Sequence, residues 1–293
     1  MTNNEMLKKM GEDMEMRNFS HYTYDFYIRK TKDMIKYFNK PMEEVGMEEL
    51  RTYLNEYLAK ERKVSDKTIN QYNSVIRFLY EVTLDKIINK KQIPMRKLKK
   101  RVYKVLTKEE LSTFFSCVDD YKFKTIFMLI YGSGLRIGEA VNLRIGDIDS
   151  KKMRIFVREG KGNKERYTTL PKASLEMLRK YWKSRAKVDS DMLFLNRENK
   201  SISTYVIRTH FRKYRRKAKL GEKITVHTLR HCYATNLIEN GATLLQVKEL
   251  MGHSNIRSTM AYVHVANIDL GLESPLDVLL RGEKDGKDTR NIK

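Results

Sequence analysis

Between residues 227 and 264 the sequence reads HTLRHCYATNLIENGATLLQVKELMGHSNIRSTMAYVH. It places His227, Arg230, His231, His253, Tyr262 and His264 on what read as three short helices separated by Gly241 and Gly252. Singly, each residue has a plain reading: an Arg on the surface, a packed His, a core Tyr. Together they have the types needed to break a phosphodiester. The phosphorane-like transition state gathers negative charge on its non-bridging oxygens, and planar guanidinium groups match that geometry with paired hydrogen bonds. Arg230, joined by Arg136 from an earlier polar segment, suits that role. Tyr262 can attack phosphorus directly and form a covalent intermediate. Its ordinary pKa lies near 10, so its proton must be removed or shared, and a neighbouring positive field is expected to lower that pKa. The leaving 5′ oxygen needs a proton, for which Lys161, at the tip of a Gly- and Asn-containing loop, is suited. His227 and His253 can donate to the phosphate or shuttle protons near neutral pH. The sequence holds no Asp or Glu cluster with the look of a two-metal site, so neither metal nor cofactor is expected.

The bulk composition points to the same substrate. Lys and Arg number 59 against 37 Asp and Glu, a net charge of +22 that calls for a polyanionic partner, with nucleic acid the first candidate. A hydrophobic fraction of 41% is enough for cores, and 293 residues suggest two domains. Cys117 and Cys232 lie far apart without metal-ligand spacing and read as reduced packing residues of an intracellular protein. No apolar run reaches the roughly 18 to 20 residues of a membrane span, so no membrane is expected and the chain should work in the cytoplasm, at the nucleoid.

Positioning these groups falls to a mainly α fold with a small β-sheet. Apolar spacing predicts helices over residues 20–39, 47–60 and from Ser65 onward, giving an all-helical N-terminal domain over residues 1–88. Residues 89–106 form a basic run without amphipathic period, read as a linker, in which Lys97, Lys99, Lys100 and Arg101 could lie along a phosphate backbone. Thr107 and Glu110 make a capping box opening the next helix. A helix over 122–131 ends at Gly132-Ser133-Gly134, and another starts within LRIGEAVNL. Two strands, 153–158 and 166–170, flank the EGKGNKE loop carrying Lys161 and Lys164. Pro171 begins a helix, and a further helix from Ser201 or Ser203 turns Phe211 and Tyr214 inward while Arg212, Arg215 and Arg216 occupy other faces, where they could meet DNA.

These motifs, in this order, resemble those of the tyrosine recombinase, or phage integrase, family. GLRIGEA resembles the box of the family's first Arg at Arg136, GKGNKER that of the β-hairpin Lys at Lys161, HTLRH the HxLRH box through His227 and Arg230, LMGHSN that of His253, and STMAYVH that of the nucleophile at Tyr262. The match spans about residues 132–264. It gives Glu139 the role of a carboxylate that positions the active-site Arg. His231 and His264 flank matched positions and receive no catalytic role; His231 is expected to pack.

The resemblance implies a helical core-binding, SAM-like domain over 1–88, a catalytic domain over 107–267, and a C-terminal tail, 268–293, that contacts a neighbouring protomer. It implies a Xer-like or mobile-element integrase performing site-specific DNA recombination through a 3′-phosphotyrosyl intermediate, independent of ATP and metal. The partners it implies are inverted-repeat DNA sites and three further copies in a homotetramer. A catalytically silent DNA-binding accessory protein on the same fold is the alternative.

Overall fold

The computed structural model describes residues 1–98, 103–160, 164–185, 187–263 and 266, and divides into two compact units, residues 1–100 and 101–293. Both expected fold features are present: helices predominate, and one small sheet accompanies them. Among the described residues no helix is long and apolar enough to cross a membrane.

The first unit begins with α1 (Asn3–Met16), which the sequence reading did not identify. Its signal was present: Thr2 and Glu5 form a capping box, and Met6, Met10 and Met14 recur every four residues on its buried face. Helix α2 (His21–Phe38) starts on the Ser20 side-chain cap and ends where Asn39 turns left-handed. Helix α3 (Met47–Thr52) continues as a wider coil over Tyr53–Glu61, and α4 (Asp66–Phe78), capped by Ser65, does the same over Leu79–Thr83. Their apolar faces close one core around Met10, Met34, Leu50, Tyr53, Val75, Ile76 and Leu79.

The tether begins later than the composition suggests. Ile88 and Ile93 are buried in that same core. Asn73 donates from Nδ2 to the carbonyls of Ile93 and Pro94, and Asn70 pairs with the Arg96 backbone in both directions. These asparagines lie on α4, where periodicity records them only as polar. Lys97 is exposed; Lys99, Lys100 and Arg101 lie outside the described residues.

In the second unit α5 (Lys108–Cys117) opens on the Thr107–Glu110 capping box. Helix α6 (Tyr121–Ser133) has an apolar run that buries Phe123, Ile126, Phe127, Leu129 and Ile130 at the centre of the core. The short α7 (Ile137–Val141) follows. The sheet has three antiparallel strands rather than two: β1 (Ile148–Asp149), β2 (Arg154–Gly160) and β3 (Lys164–Thr169), in that order. Two residues of β1 are too few for an alternating pattern to register. Helices α8 (Lys172–Ser184), α9 (Thr204–Lys217), α10 (Val226–Glu239), α11 (Leu244–Met251) and α12 (Arg257–Val263) complete the unit. A small apolar cluster of Tyr233, Ala234, Ile238, Val247, Met251 and Tyr262 ties α10, α11 and α12 together.

Candidate active site

The site is assembled by chain reversals. Helix α6 ends at Gly134, whose φ of +62° reverses the chain so that Arg136 becomes the N-cap of α7. A side chain at Gly134 would meet the Tyr233 ring at 2.4 Å, so the position needs glycine for space as well as for its backbone angle. Helix α11 ends likewise on Gly252, φ +60°, and the next residue is His253. Arg230 stands on α10 with 4% exposure.

These reversals converge on one buried carboxylate. Glu139 accepts from the Arg136 backbone N–H at 2.8 Å and from Arg136 Nη1 at 2.6 Å. Arg166, on β3, donates to it with Nη1 at 3.0 Å and Nη2 at 2.8 Å, and Arg230 Nη1 lies 3.6 Å from it. Burial alone pushes the Glu139 carboxyl up; the hydrogen bonds and charge of Arg166, followed by Arg136, hold it down at about 2. The guanidiniums are steadied further by backbone carbonyls. Arg136 Nη2 donates to Gly252 O at 3.0 Å, Arg166 Nε to Leu250 O at 2.9 Å, and Arg230 to Met251 O at 2.6 Å and to Gly134 O. Burial, and then the Arg136 charge, lower the Arg230 pKa to about 10, which leaves it cationic at neutral pH. One anion among three guanidiniums leaves a fixed positive excess, a match for a phosphodiester.

Tyr262, on α12, has 4% exposure and packs beside this cluster. Its hydroxyl shares a 3.1 Å hydrogen bond with His231 Nδ1, and the Tyr103 ring packs against both, tilted over His231 with centroids 4.2 Å apart and stacked on Tyr262 at 5.4 Å. Burial raises the Tyr262 pKa to about 12; Arg230 and Arg136 pull against that rise without reversing it. The expected lowering by the positive field is therefore corrected: the loss of water on burial outweighs it. His253 Nδ1 pairs with buried Thr259 Oγ1 at 2.9 Å, and its ring lies 6.1 Å from that of Tyr262. Burial, followed by Arg230, Arg136 and Arg166, lowers the His253 pKa to about 4. His227 is exposed and lines a cleft of about 540 Å³ with Arg136, Arg144, Arg158 and Asn142. Its pKa is lowered by partial shielding from water and by Arg230, Arg208 and Arg136. Neutral, these imidazoles can accept a proton or donate one N–H.

Of the residues singled out from sequence, Arg136, Glu139, Arg230, His253 and Tyr262 come together, with His227 at the cleft. Lys161 and His264 lie outside the described residues. Lys164 begins β3. Arg212 and Arg216 are exposed on α9. Arg215 requires correction as a DNA contact: it is 7% exposed, and its Nη1 donates to the carbonyls of Glu222 and Ile224. On a strongly basic helix the charge pattern alone does not tell an inward arginine from its outward neighbours.

Sequence reasoning missed Arg166, Tyr103 and the contact of His231 with the phenol. A signal existed for Arg166. It shares a strand face with Thr168, which is buried and donates to Ser133 O, and a charge on an inward face asks for a buried partner. Arg158 was missed too; it crosses the rim of the cleft to pair with buried Asp147 at 2.7 Å.

The phage integrase family model matches residues 104–268, and a phage integrase N-terminal SAM-like domain model matches residues 6–90. The y4qK protein of Sinorhizobium fredii, named provisionally as an integrase/recombinase, is 34% identical across 94% of this chain and 89% of its own length. Tyrosine recombinase XerA of Pyrococcus horikoshii is 32% identical across 90% of each chain. Among solved structures, the Tn1549 transposon integrase in complex with transposon right end DNA gives a TM-score of 0.73 at 19% identity, covering 99% of this chain and 100% of that one. The XerH site-specific recombinase, in a post-cleavage complex with palindromic difH substrate, gives 0.72 at 20% identity, covering 87% and 80%. Both share the fold.

Proposed function

The chain belongs to the phage integrase family of tyrosine recombinases, and from that premise we propose that it is a site-specific DNA recombinase whose nucleophile is Tyr262. The observation that carries this reading is the gathering of Arg136, Arg230 and Arg166 on one buried carboxylate with Tyr262 and His253 beside them. In this reading Arg136 and Arg230 hold the non-bridging oxygens of the scissile phosphate, assisted by N–H donors of His227 and His253. Glu139 positions both arginines. Tyr262 Oη bonds to phosphorus as the bond to O5′ breaks, and Lys161 supplies the proton to O5′. The products are a 3′-phosphotyrosyl link and a free 5′ hydroxyl, and a 5′ hydroxyl from a partner duplex reverses the step. The phosphotyrosyl link keeps the bond energy, so the cycle calls for neither ATP nor metal.

The N-terminal helical domain and the catalytic domain, residues 107–267, would grip inverted-repeat duplex sites, with the basic linker that follows Arg96 tracking the phosphates through Lys97, Lys99, Lys100 and Arg101. Lys164, Arg212 and Arg216 add contacts from the catalytic domain. Joining two sites calls for a homotetramer, in which tail 268–293 docks on a neighbouring protomer. Such an enzyme would work on nucleoid DNA. To test this, a binding duplex is selected from a randomised pool on immobilised Tyr262→Phe protein, then offered in EDTA as a nested set of nicked duplexes. Wild-type protein is expected to give a covalent band on a denaturing gel and Tyr262→Phe none. No band from wild-type protein contradicts the reading.

A further inference from the structure

We infer that His231 is a catalytic residue, the proton acceptor for the Tyr262 hydroxyl as that oxygen attacks phosphorus. The inference rests on the reading of Tyr262 as nucleophile and adds the group which that reading leaves unnamed. Among the described residues His231 Nδ1 is the one hydrogen-bond partner of Tyr262 Oη, at 3.1 Å. Among the described residues neither of the site's other two histidines shares a hydrogen bond with the phenol: His253 Nδ1 is paired with Thr259, and His227 lines the cleft with Arg136. The His231 ring is fixed from one side by Tyr103, tilted 33° at 4.2 Å. It sits on α10 next to Arg230, so the residue that holds phosphate and the residue that takes the proton move as one rigid element.

The surroundings keep the acceptor available. His227 and Arg230 on α10, Arg136 before α7, Arg166 on β3, His253 after α11 and Tyr103 before α5 face the cluster, and its one anion, Glu139 on α7, is engaged by Arg136 and Arg166. Burial, then His227 and Arg230, lower the His231 pKa to about 4, so at neutral pH its ring is uncharged. Accepting at Nδ1 requires the tautomer that carries its proton on Nε2. With the phenol at about 12 the proton does not move in the resting site. It moves as the Oη–P bond forms, because bond formation drains electron density from Oη and makes its proton acidic. The O–H pair stays on Oη and becomes the Oη–P bond. The P–O5′ pair leaves with O5′, which takes its proton from another donor. The imidazolium so formed faces the anionic phosphotyrosyl and returns the proton when the link is resolved.

The test compares wild type, His231→Gln and His231→Ala in single-turnover cleavage of the nicked duplex from pH 6 to 10, on ordinary DNA and on DNA carrying sulfur at the 5′ bridging position. Glutamine fills the space and accepts a hydrogen bond yet cannot carry the proton. Both variants are expected to bind the duplex as wild type does and to cleave about a hundredfold more slowly at neutral pH. Their rates should climb about tenfold per pH unit, as the phenol ionises unaided, while the wild-type rate stays level. The sulfur leaving group needs no proton, so it should not relieve them. Wild-type rates in the variants, a defect constant across pH, or relief by sulfur would each overturn the inference alone; no adduct from wild type overturns the recombinase reading itself.

Discussion

Arg166→Met tests whether the buried ion cluster is a cooperative unit. Methionine keeps the apolar stem and removes the donors. In the native protein Arg166 and Glu139 side chains are 8% and 6% exposed and share two charge-assisted hydrogen bonds, at 2.8 and 3.0 Å. A third donor satisfies Leu250 O. Holding Glu139 at about 2 instead of the ordinary 4.5 corresponds to roughly 3 kcal/mol of favourable interaction at neutral pH. Breaking one partner of a buried pair costs about 3–5 kcal/mol when the other charge is stranded. Here Arg136 remains on Glu139, so Arg166→Met should destabilise the catalytic unit by roughly 3 kcal/mol. In Arg166→Met/Glu139→Gln the two partners leave together, and Arg136 and Arg230 keep their backbone carbonyl acceptors, so the two losses should fall short of additivity by about 2 kcal/mol. Urea unfolding followed by Trp182 fluorescence measures this in the intact chain, because the single tryptophan lies on α8 and reports the catalytic unit. Additivity within about 0.5 kcal/mol would refute the claim of a shared cluster.

Further outcomes follow from the same geometry. The depressed Glu139 pKa contributes stability that is fully present above about 4.5 and lost as pH falls toward 2; the gap in urea midpoint between wild type and Arg166→Met/Glu139→Gln should therefore narrow across that window. Gly252→Ala would place a methyl 2.8 Å from Arg166 Nη1 at a φ of +60°, whereas Gly241→Ala, at φ +82°, meets nothing within 4 Å. The first should cost about 1 kcal/mol more than the second in the same unfolding assay, with an added loss of cleavage. Arg212→Ala and Arg216→Ala should each reduce the slope of log K against log salt by roughly 1 in DNA titrations, while Arg215→Ala should leave the slope unchanged and lower the melting temperature.

Side-chain chemistry with rigid spacing was legible from the chain alone. Arg136, Arg230, His253 and Tyr262 sit in short motifs whose turns, at Gly134 and Gly252, are themselves written as glycines, whereas Glu139 received its role only through the family resemblance. Caps at Ser20, Ser65 and Thr107 marked helix starts for the same local reason. What escaped depends on long-range packing. Arg166 meets Glu139 across 27 residues, and Tyr103 meets His231 across more than a hundred. Arg215 and Arg216 are neighbours of one type, and only the carbonyls of Glu222 and Ile224 draw one of them inward. The phenol pKa escaped because its sign depends on a balance between burial and field that spacing does not contain.

During strand cleavage Tyr262 should become covalently joined to a DNA 3′ phosphate. The most direct measurement traps the adduct on the selected nicked duplex, digests it, and locates the nucleotide-bearing peptide by mass spectrometry while end-labelling the released strand. The expected result is a nucleotide on the peptide containing Tyr262 and a released strand with a free 5′ hydroxyl. A nucleotide on any other residue, or a released 5′ phosphate, would contradict it.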